Sequence, residues 1–408
     1  MSDLRITQLD SGLTVATECV PGALSVATGV WVGVGSRDEP ARLSGVSHFL
    51  EHLLFKGTAT RSAHEISRSV DRVGGDFNAF TAKEYTAYFC RLPARHAALG
   101  VDLLSDVLTR PALRDADVES ERLVILEELA MDDDSPDDVA HREFATRLFA
   151  DHPLGRDTVG GRSTVQAITA DDVREFFDAH YRAGVMVVAM AGPLDHDEAL
   201  AQVAGAFADT RGGAVRPTRS PPTGQLAGTN IDDDTEQVHI VMGGLGLPRG
   251  DREREALDVV DHVLGGGLSS RLFEEIRERR GLAYAVYSGV SSYTDCGMFQ
   301  LYAGTQPEHL EEVVEVMHDE LRKLAQHGVT DDELEVAIGY LTGSFELGLE
   351  DTGSRMARAG GLLITTGSVR SVEEQIARWS AVDHAAVRAV IERVLSVEPI
   401  VVTVGPTG

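Results

Sequence analysis

An order of strands and helices runs through this chain twice, so any fold it adopts has to accommodate two similar halves. The first half opens with the apolar stretch "ALSVATGVWVGVGSRDEP" and the helical "GVSHFLEHLLF"; the second has "EQVHIVMGGLGLPRGD" and then "EREALDVVDHVLGGG". The alternating "FNAFTAKEYTAYFCRLP" precedes the helical "AALGVDLLSDVL", much as "AYAVYSGVSSYTDCGMFQLYAG" precedes "EHLEEVVEVMHDELRKL". Each half continues with an acid-started helix, "DADVESERLVILEEL" and "TDDELEVAIGYLTGSF", whose early carboxylates suit the positive end of the helix dipole. The offset between the copies is near 210 residues.

Between the copies, "GGAVRPTRSPPTGQLAG" at 212–228 crowds out any hydrophobic period with Pro, Gly and Ser. It reads as a linker between an N-terminal domain, 1–211, and a homologous C-terminal domain, 229–408. A chain of 408 residues is long enough for two such cores.

The formal net charge of −28 repels phosphate backbones and anionic lipid, which argues against nucleic-acid and membrane partners. Three cysteines, Cys19, Cys90 and Cys296, are too few and too scattered for a disulfide framework or a Cys-rich zinc site, and they suit a reducing cytoplasm. The start "MSDLRITQLDSG" has no apolar signal core, and the run "AGVMVVAMAGPL" is too short to cross a bilayer.

The chemistry concentrates in "GVSHFLEHLLFKGT". Residues four apart on a helix differ by about 40° around the axis, so His48 and His52 turn their imidazoles toward one point, as two ligands of a tetrahedral zinc do. Glu51 flanks the same face, within reach of a water on the metal. Zinc lowers the pKa of such a water toward 7, and a neighbouring carboxylate takes its proton as it attacks a carbonyl. A pair of histidines at this spacing arises by chance in a chain with 14 of them; the glutamate at one fixed place makes His-x-x-Glu-His a specific signature.

Two histidines leave a catalytic zinc one protein ligand short. In "ESERLVILEEL", Glu121 and Glu128 lie seven apart on one face with Val124 and Ile125 between them, and Glu127 points roughly 100° away. A carboxylate on an apolar stripe has to be paired, protonated or bound to metal. Spacing favours Glu128 over Glu127 without excluding either.

With these motifs in view, the chain resembles the pitrilysin-type zinc peptidases, in particular bacterial members akin to the mitochondrial processing peptidase. The resemblance rests on "HFLEHLLFKGT", "GGDFNAFTAKEYTAYF", "ERLVILEEL" and "SSRLFEEIRERRGLAYAV", in the family's order and across nearly the whole chain. It implies an α+β fold of two similar domains, each a mainly antiparallel sheet with helices packed on one face, forming half of a clamshell. It implies one zinc per chain, held by His48, His52 and Glu128, with Glu121 supporting the site from behind and Glu51 as general base.

By the same resemblance, "GGDFNAFTAKEYTAYF" is an edge strand to which a peptide adds by main-chain pairing, with Asn78 and Ala79 contacting it near the metal. Arg277 and Tyr284 of "IRERRGLAY" would hold the substrate backbone and steady the tetrahedral intermediate, Tyr284 donating to the oxyanion; without the resemblance, this segment is a basic helix end stopped by Gly281. The implied function is a zinc endopeptidase that cleaves unfolded oligopeptides or peptide tails inside a dimeric chamber. A homodimer is expected because one chain carries both residue sets, and a heterodimer of related chains is the alternative. The rival functions are a processing peptidase for one precursor and a non-catalytic scaffold of the same fold.

Overall fold

The computed structural model describes residues 3–213 and 216–406. In one unit, strands β1 (Asp3–Gln8), β2 (Thr14–Cys19), β3 (Ser25–Val32), β4 (Asp76–Thr81), β5 (Thr86–Pro93) and β6 (Met186–Gly192) form a sheet ordered β1-β2-β6-β3-β5-β4. A second unit has β7 (Thr229–Asp232), β8 (Val238–Gly246), β9 (Ala283–Ser292), β10 (Gly297–Thr305) and β11 (Ile400–Gly405), ordered β7-β11-β8-β10-β9. With β1 set aside the two orders correspond strand for strand. Each sheet is antiparallel apart from one parallel pair, β2 with β6 and β7 with β11. The α+β duplication expected from the sequence is therefore present. The alternating stretches are hairpins rather than single strands, because a two-residue period continues through the turns at 82–85 and 293–296.

Alternation decides what each face of the first sheet carries. Val26, Val30 and Val32 of β3, Tyr88 and Leu92 of β5, and Val188 and Met190 of β6 point into the main core. Over that face lie α1 (Val46–Leu54), α2 (Ala63–Asp71), α3 (Ala97–Thr109), α4 (Asp115–Asp133), α6 (Arg162–Ala167), α7 (Ala170–His180) and α8 (His196–Ala206). The other face is small-chained, with Ala16, Ala27, Ala87, Ala189 and Ala191 around Trp31. It is covered by one helix, α12 (Thr352–Thr366), through Met356, Ala359, Leu363 and Ile364. The approach is close: a Cβ at Gly360 would lie 2.1 Å from the Trp31 ring.

The second unit is built the same way. The main layer is α9 (Arg254–Asp261), α10 (Leu310–His327), α11 (Asp331–Gly348) and α14 (His384–Val394), with α13 (Val372–Ser380) beside α9. Its opposite face takes α5 (Pro136–Phe149), which buries Ala140, Phe144, Leu148 and Phe149 against Val241, Tyr302, Val402 and Val404.

Two expectations need correcting here. The compact units are not the contiguous halves 1–211 and 229–408: residues 130–155 belong to the second unit and 346–371 to the first. Nor are helices confined to one face, since each sheet's second face is apolar and takes the one helix that the other half of the sequence supplies. Hydrophobic periodicity tells that a helix has an apolar side, not which sheet it will cover. The stretch 212–228 has no helix or strand among its described residues.

Candidate metal centre

Helix α1 starts where its chemistry requires help. Gly45 precedes it with φ of 97°, and a Cβ there would meet the Val159 carbonyl oxygen at 2.4 Å. The first main-chain N–H groups have no partners within the helix, and no Ser or Asp sits at the cap. Glu39 supplies the acceptors from a preceding loop: its Oε2 accepts from Gly45 N and its Oε1 from Ser47 N, both at 2.7 Å. The carboxyl is buried, which pushes its pKa up to about 7 against the lowering effect of those two bonds. Val46, Phe49, Leu50, Leu53 and Leu54 anchor the helix in the core, and the other side presents His48, Glu51 and His52 half-buried.

The two imidazoles meet edge to face with centroids 4.7 Å apart. Glu128 of α4 brings Oε2 to 3.9 Å from His48 Nε2 and 3.6 Å from His52 Nε2. The three donor atoms lie within 4.8 Å of one another. Ligands of a tetrahedral zinc with bonds of about 2.0–2.1 Å stand roughly 3.3 Å apart, so small side-chain movements would bring this group to that spacing. Burial, then the nearby His52, push the pKa of His48 down to about 4, so its imidazole is neutral at pH 7 and free to ligate. Glu127 is exposed and outside the group; of the two glutamates, Glu128 is the one placed beside the histidines.

Around this group the hydrogen bonds are directional. Glu121 is buried, pairs with Lys56, and places Oε2 3.2 Å from His52 Nδ1, a contact that suits the tautomer with Nδ1 donating to the carboxylate and Nε2, 3.6 Å from Glu128, carrying the lone pair. Thr81 Oγ1 donates to Glu51 Oε2 at 2.6 Å, leaving Oε1 without that bond. Burial raises the Glu51 pKa above the ordinary carboxylate value, more than the Thr81 bond lowers it, which strengthens it as a base. The Thr81 contact, the Lys56 pairing and the Glu39 cap were all missed by sequence reasoning. Thr81 had a signal, since it shares the face of Ala79 on β4; Lys56 and Glu121 are far apart in sequence, and Glu39, six residues before Gly45, reaches it over an irregular loop that no periodicity marks.

Asn78 and Ala79 lie on β4, the edge of the first sheet. Ala79 N donates to Asn78's own Oδ1 at 2.8 Å, so the side chain occupies a main-chain donor on this strand. Phe77 packs edge to face on Phe55 just beyond α1, with centroids 5.1 Å apart. Arg277 and Tyr284 belong to the second unit and touch each other. The guanidinium lies 4.4 Å over the Tyr284 ring and 4.7 Å over Phe273, and Nη1 donates to the Tyr284 carbonyl at 3.1 Å. The Tyr284 side chain is otherwise open, at 77 % exposure. Gly281, with φ of 64°, closes the helix carrying Arg277, as the sequence suggested.

In the second copy, the positions matching His48, Glu51 and His52 are Asp258, Asp261 and His262. Their surroundings are structural: Asp258 accepts from Trp379 Nε1 at 3.0 Å, and His262 stacks on Tyr340 with centroids 4.2 Å apart. Burial, with Asp258 nearby, raises the Asp261 pKa to about 6. The folded state therefore holds its proton more tightly than the unfolded chain, and the contribution of Asp261 to stability falls as pH rises from about 4 through about 6. Asp261→Asn should remove that dependence and be more stable than wild type at pH 7 by roughly 1–3 kcal/mol, read from urea unfolding at several pH values.

Comparisons with known proteins agree with this asymmetry. Residues 14–162 match the family described as Insulinase (Peptidase family M16), and residues 167–341 match the Peptidase M16 inactive domain. A Streptomyces coelicolor protein named an uncharacterized zinc protease is 45% identical, covering 99% of this chain and 90% of its own. A Bacillus subtilis protein of similar name is 35% identical over 98% and 97%. Among solved structures, a peptidase M16 inactive domain from Pseudomonas fluorescens aligns with a TM-score of 0.93 at 22% identity, covering 100% and 98%. A protease from Helicobacter pylori aligns at 0.91 and 21%, covering 100% of both chains. Those two likenesses establish the fold, and the full-length relatives establish the lineage: the chain belongs to peptidase family M16, the pitrilysin-type zinc peptidase-like proteins.

Proposed function

We propose that this protein is a zinc-dependent endopeptidase that hydrolyses unfolded oligopeptides or peptide tails. The observation that carries the reading is the convergence of His48 Nε2, His52 Nε2 and a Glu128 carboxylate oxygen within 4.8 Å, with Glu51 tethered beside them. One zinc per chain, held by these three residues, would supply a Lewis acid that polarises the scissile carbonyl and acidifies water. Glu51, its Oε2 occupied by Thr81, takes the proton of the attacking water on Oε1 and passes it to the leaving amine. An extended peptide pairs with β4, its carbonyl displacing Asn78 Oδ1 from Ala79 N. Within the second unit Arg277 holds the exposed Tyr284 in place, and by the resemblance to the family this pair would hold the substrate backbone.

Two copies pairing to enclose the substrate would explain selection for unfolded chains, and the acidic surface suits basic peptides. A cytoplasmic site of action is supported by three cysteines that form no disulfide, two of them buried. No helix among the described residues is long and apolar enough to cross a membrane.

The test is hydrolysis of a random peptide mixture by the purified protein, followed by mass spectrometry. Chelation should abolish cleavage, and one equivalent of zinc per chain should restore it. Cleavage that survives complete removal of metal would refute the reading, and a single bond cut in a single peptide would redirect it to a dedicated processing enzyme.

A further inference from the structure

On the α12 side of the first sheet, away from α1, a cavity of about 410 Å³ opens beside the β4 edge. Trp31, Phe80, Phe89, Met356 and Ala357 line it, so most of its wall is apolar. Asp76, Arg91 and Asp351 are exposed around it, with Arg91 2.8 Å from Asp351 and 3.7 Å from Asp76.

The duplicated unit shows that the fold does not require this space. The β4–β5 and β9–β10 turns each span four residues, so Thr81 matches Ser292, and the same offset of 211 places Asp76 at Tyr287 and Arg91 at Tyr302. Counting six residues on from the helix N-caps Ser135 and Asp351 places Ala357 at His141. In the second unit those three positions are filled by stacked rings, with His141 to Tyr302 at 5.2 Å, Tyr287 to Tyr302 at 4.8 Å, and His141 Nε2 2.9 Å from the Tyr287 hydroxyl. In the first unit an alanine and two charged side chains that turn to solvent stand in their place, and the cavity is what remains.

Its position relates it to a peptide on β4. Side chains alternate along that strand: Phe77 and Ala79 face α1 and the core, and Asp76, Asn78 and Phe80 face the cavity. A peptide added as a further strand alternates in the same way, so every second side chain falls on the cavity side. We propose that this cavity is a subsite taking one large apolar side chain, aromatic or Leu/Met, of a peptide bound along β4. Two carboxylates against one guanidinium at its rim disfavour an acidic side chain there. The subsite rests on the peptidase reading above, with binding to β4 as the shared step.

The experiment compares two peptides that differ only in Phe or Gly at the position wild type selects, together with Ala357→Phe, which fills the cavity, and Met356→Ala, which enlarges it. Wild-type cleavage sites should be enriched in Phe, Leu or Met at one fixed place relative to the cut bond. Ala357→Phe should reduce the Phe-over-Gly ratio of kcat/KM at least tenfold, and Met356→Ala should shift the preference toward Trp. Melting curves identify folded variants, and either one alone suffices. Wild type that cleaves without apolar preference, or folded variants that keep the wild-type profile, overturns the subsite and leaves the peptidase standing. Absence of any hydrolysis overturns the peptidase instead. The subsite is then judged on binding: fluorescence anisotropy should show Glu51→Gln protein holding Phe-containing members of the labelled mixture at least tenfold tighter than their Gly counterparts, and equal affinities overturn it.

Discussion

Glu51→Gln is expected to keep one zinc per chain and to lose peptide hydrolysis by about 10²- to 10⁴-fold, the usual contribution of a positioned general base. The separation of the two effects follows from geometry. Glu51 lies outside the trio of donor atoms, and its anchoring contact is a bond accepted from Thr81, which the glutamine amide oxygen can accept equally well. What the amide lacks is basicity. Burial raises the Glu51 pKa, so the base is already stronger than a solvated carboxylate, and activity should fall as pH drops through a value above the ordinary 4.5. Metal analysis beside a peptide assay decides the matter. A variant that turns over peptides at the wild-type rate would remove Glu51 from the mechanism, and one that loses its zinc would make it a ligand.

The candidate metal site was legible because its main parts are local. His48, Glu51 and His52 occupy one turn of one helix, where spacing alone fixes their relation. Glu128 arrives 76 residues after His52, and spacing could narrow it only to a face of α4; the structure distinguishes it from Glu127 by exposure and distance. The strand order was less accessible. Alternation ran unbroken through both hairpins, and α5 and α12 carry apolar stripes that would fit either sheet. Which sheet each covers is set by the face left open after the first helical layer forms, and that is a property of the assembled core. Asn78 shows a third limit: its side chain engages its neighbour's main chain, and no pattern of residue types announces it.

The same dependence on distant contacts sets the largest expected loss of stability, at Glu84. Its carboxylate meets Arg37 at 2.7 Å with both side chains almost wholly shielded, at 1% and 2% exposure. Arg37 N also donates to the Lys83 carbonyl at 2.8 Å and Ser36 N to that of Ala82 at 3.1 Å, fastening the loop after β3 onto the β4–β5 turn. Gly35 permits that approach, since a Cβ there would lie 2.2 Å from the Ala82 oxygen. Glu84→Ala removes a fully shielded charge-assisted bond from Arg37 and leaves the guanidinium buried with less compensation, so it should cost about 3–5 kcal/mol in urea unfolding. Arg37→Met combined with Glu84→Leu should recover part of it, because both buried charges are then replaced by apolar side chains. The loss should also reach the metal. Two residues past Arg37, Glu39 holds the first N–H groups of α1, so a loosened loop weakens the cap on the helix that carries both histidines. Zinc affinity of Glu84→Ala, measured by competition with a chelator below its melting temperature, should therefore fall; affinity equal to wild type would show that α1 holds its histidines without this loop.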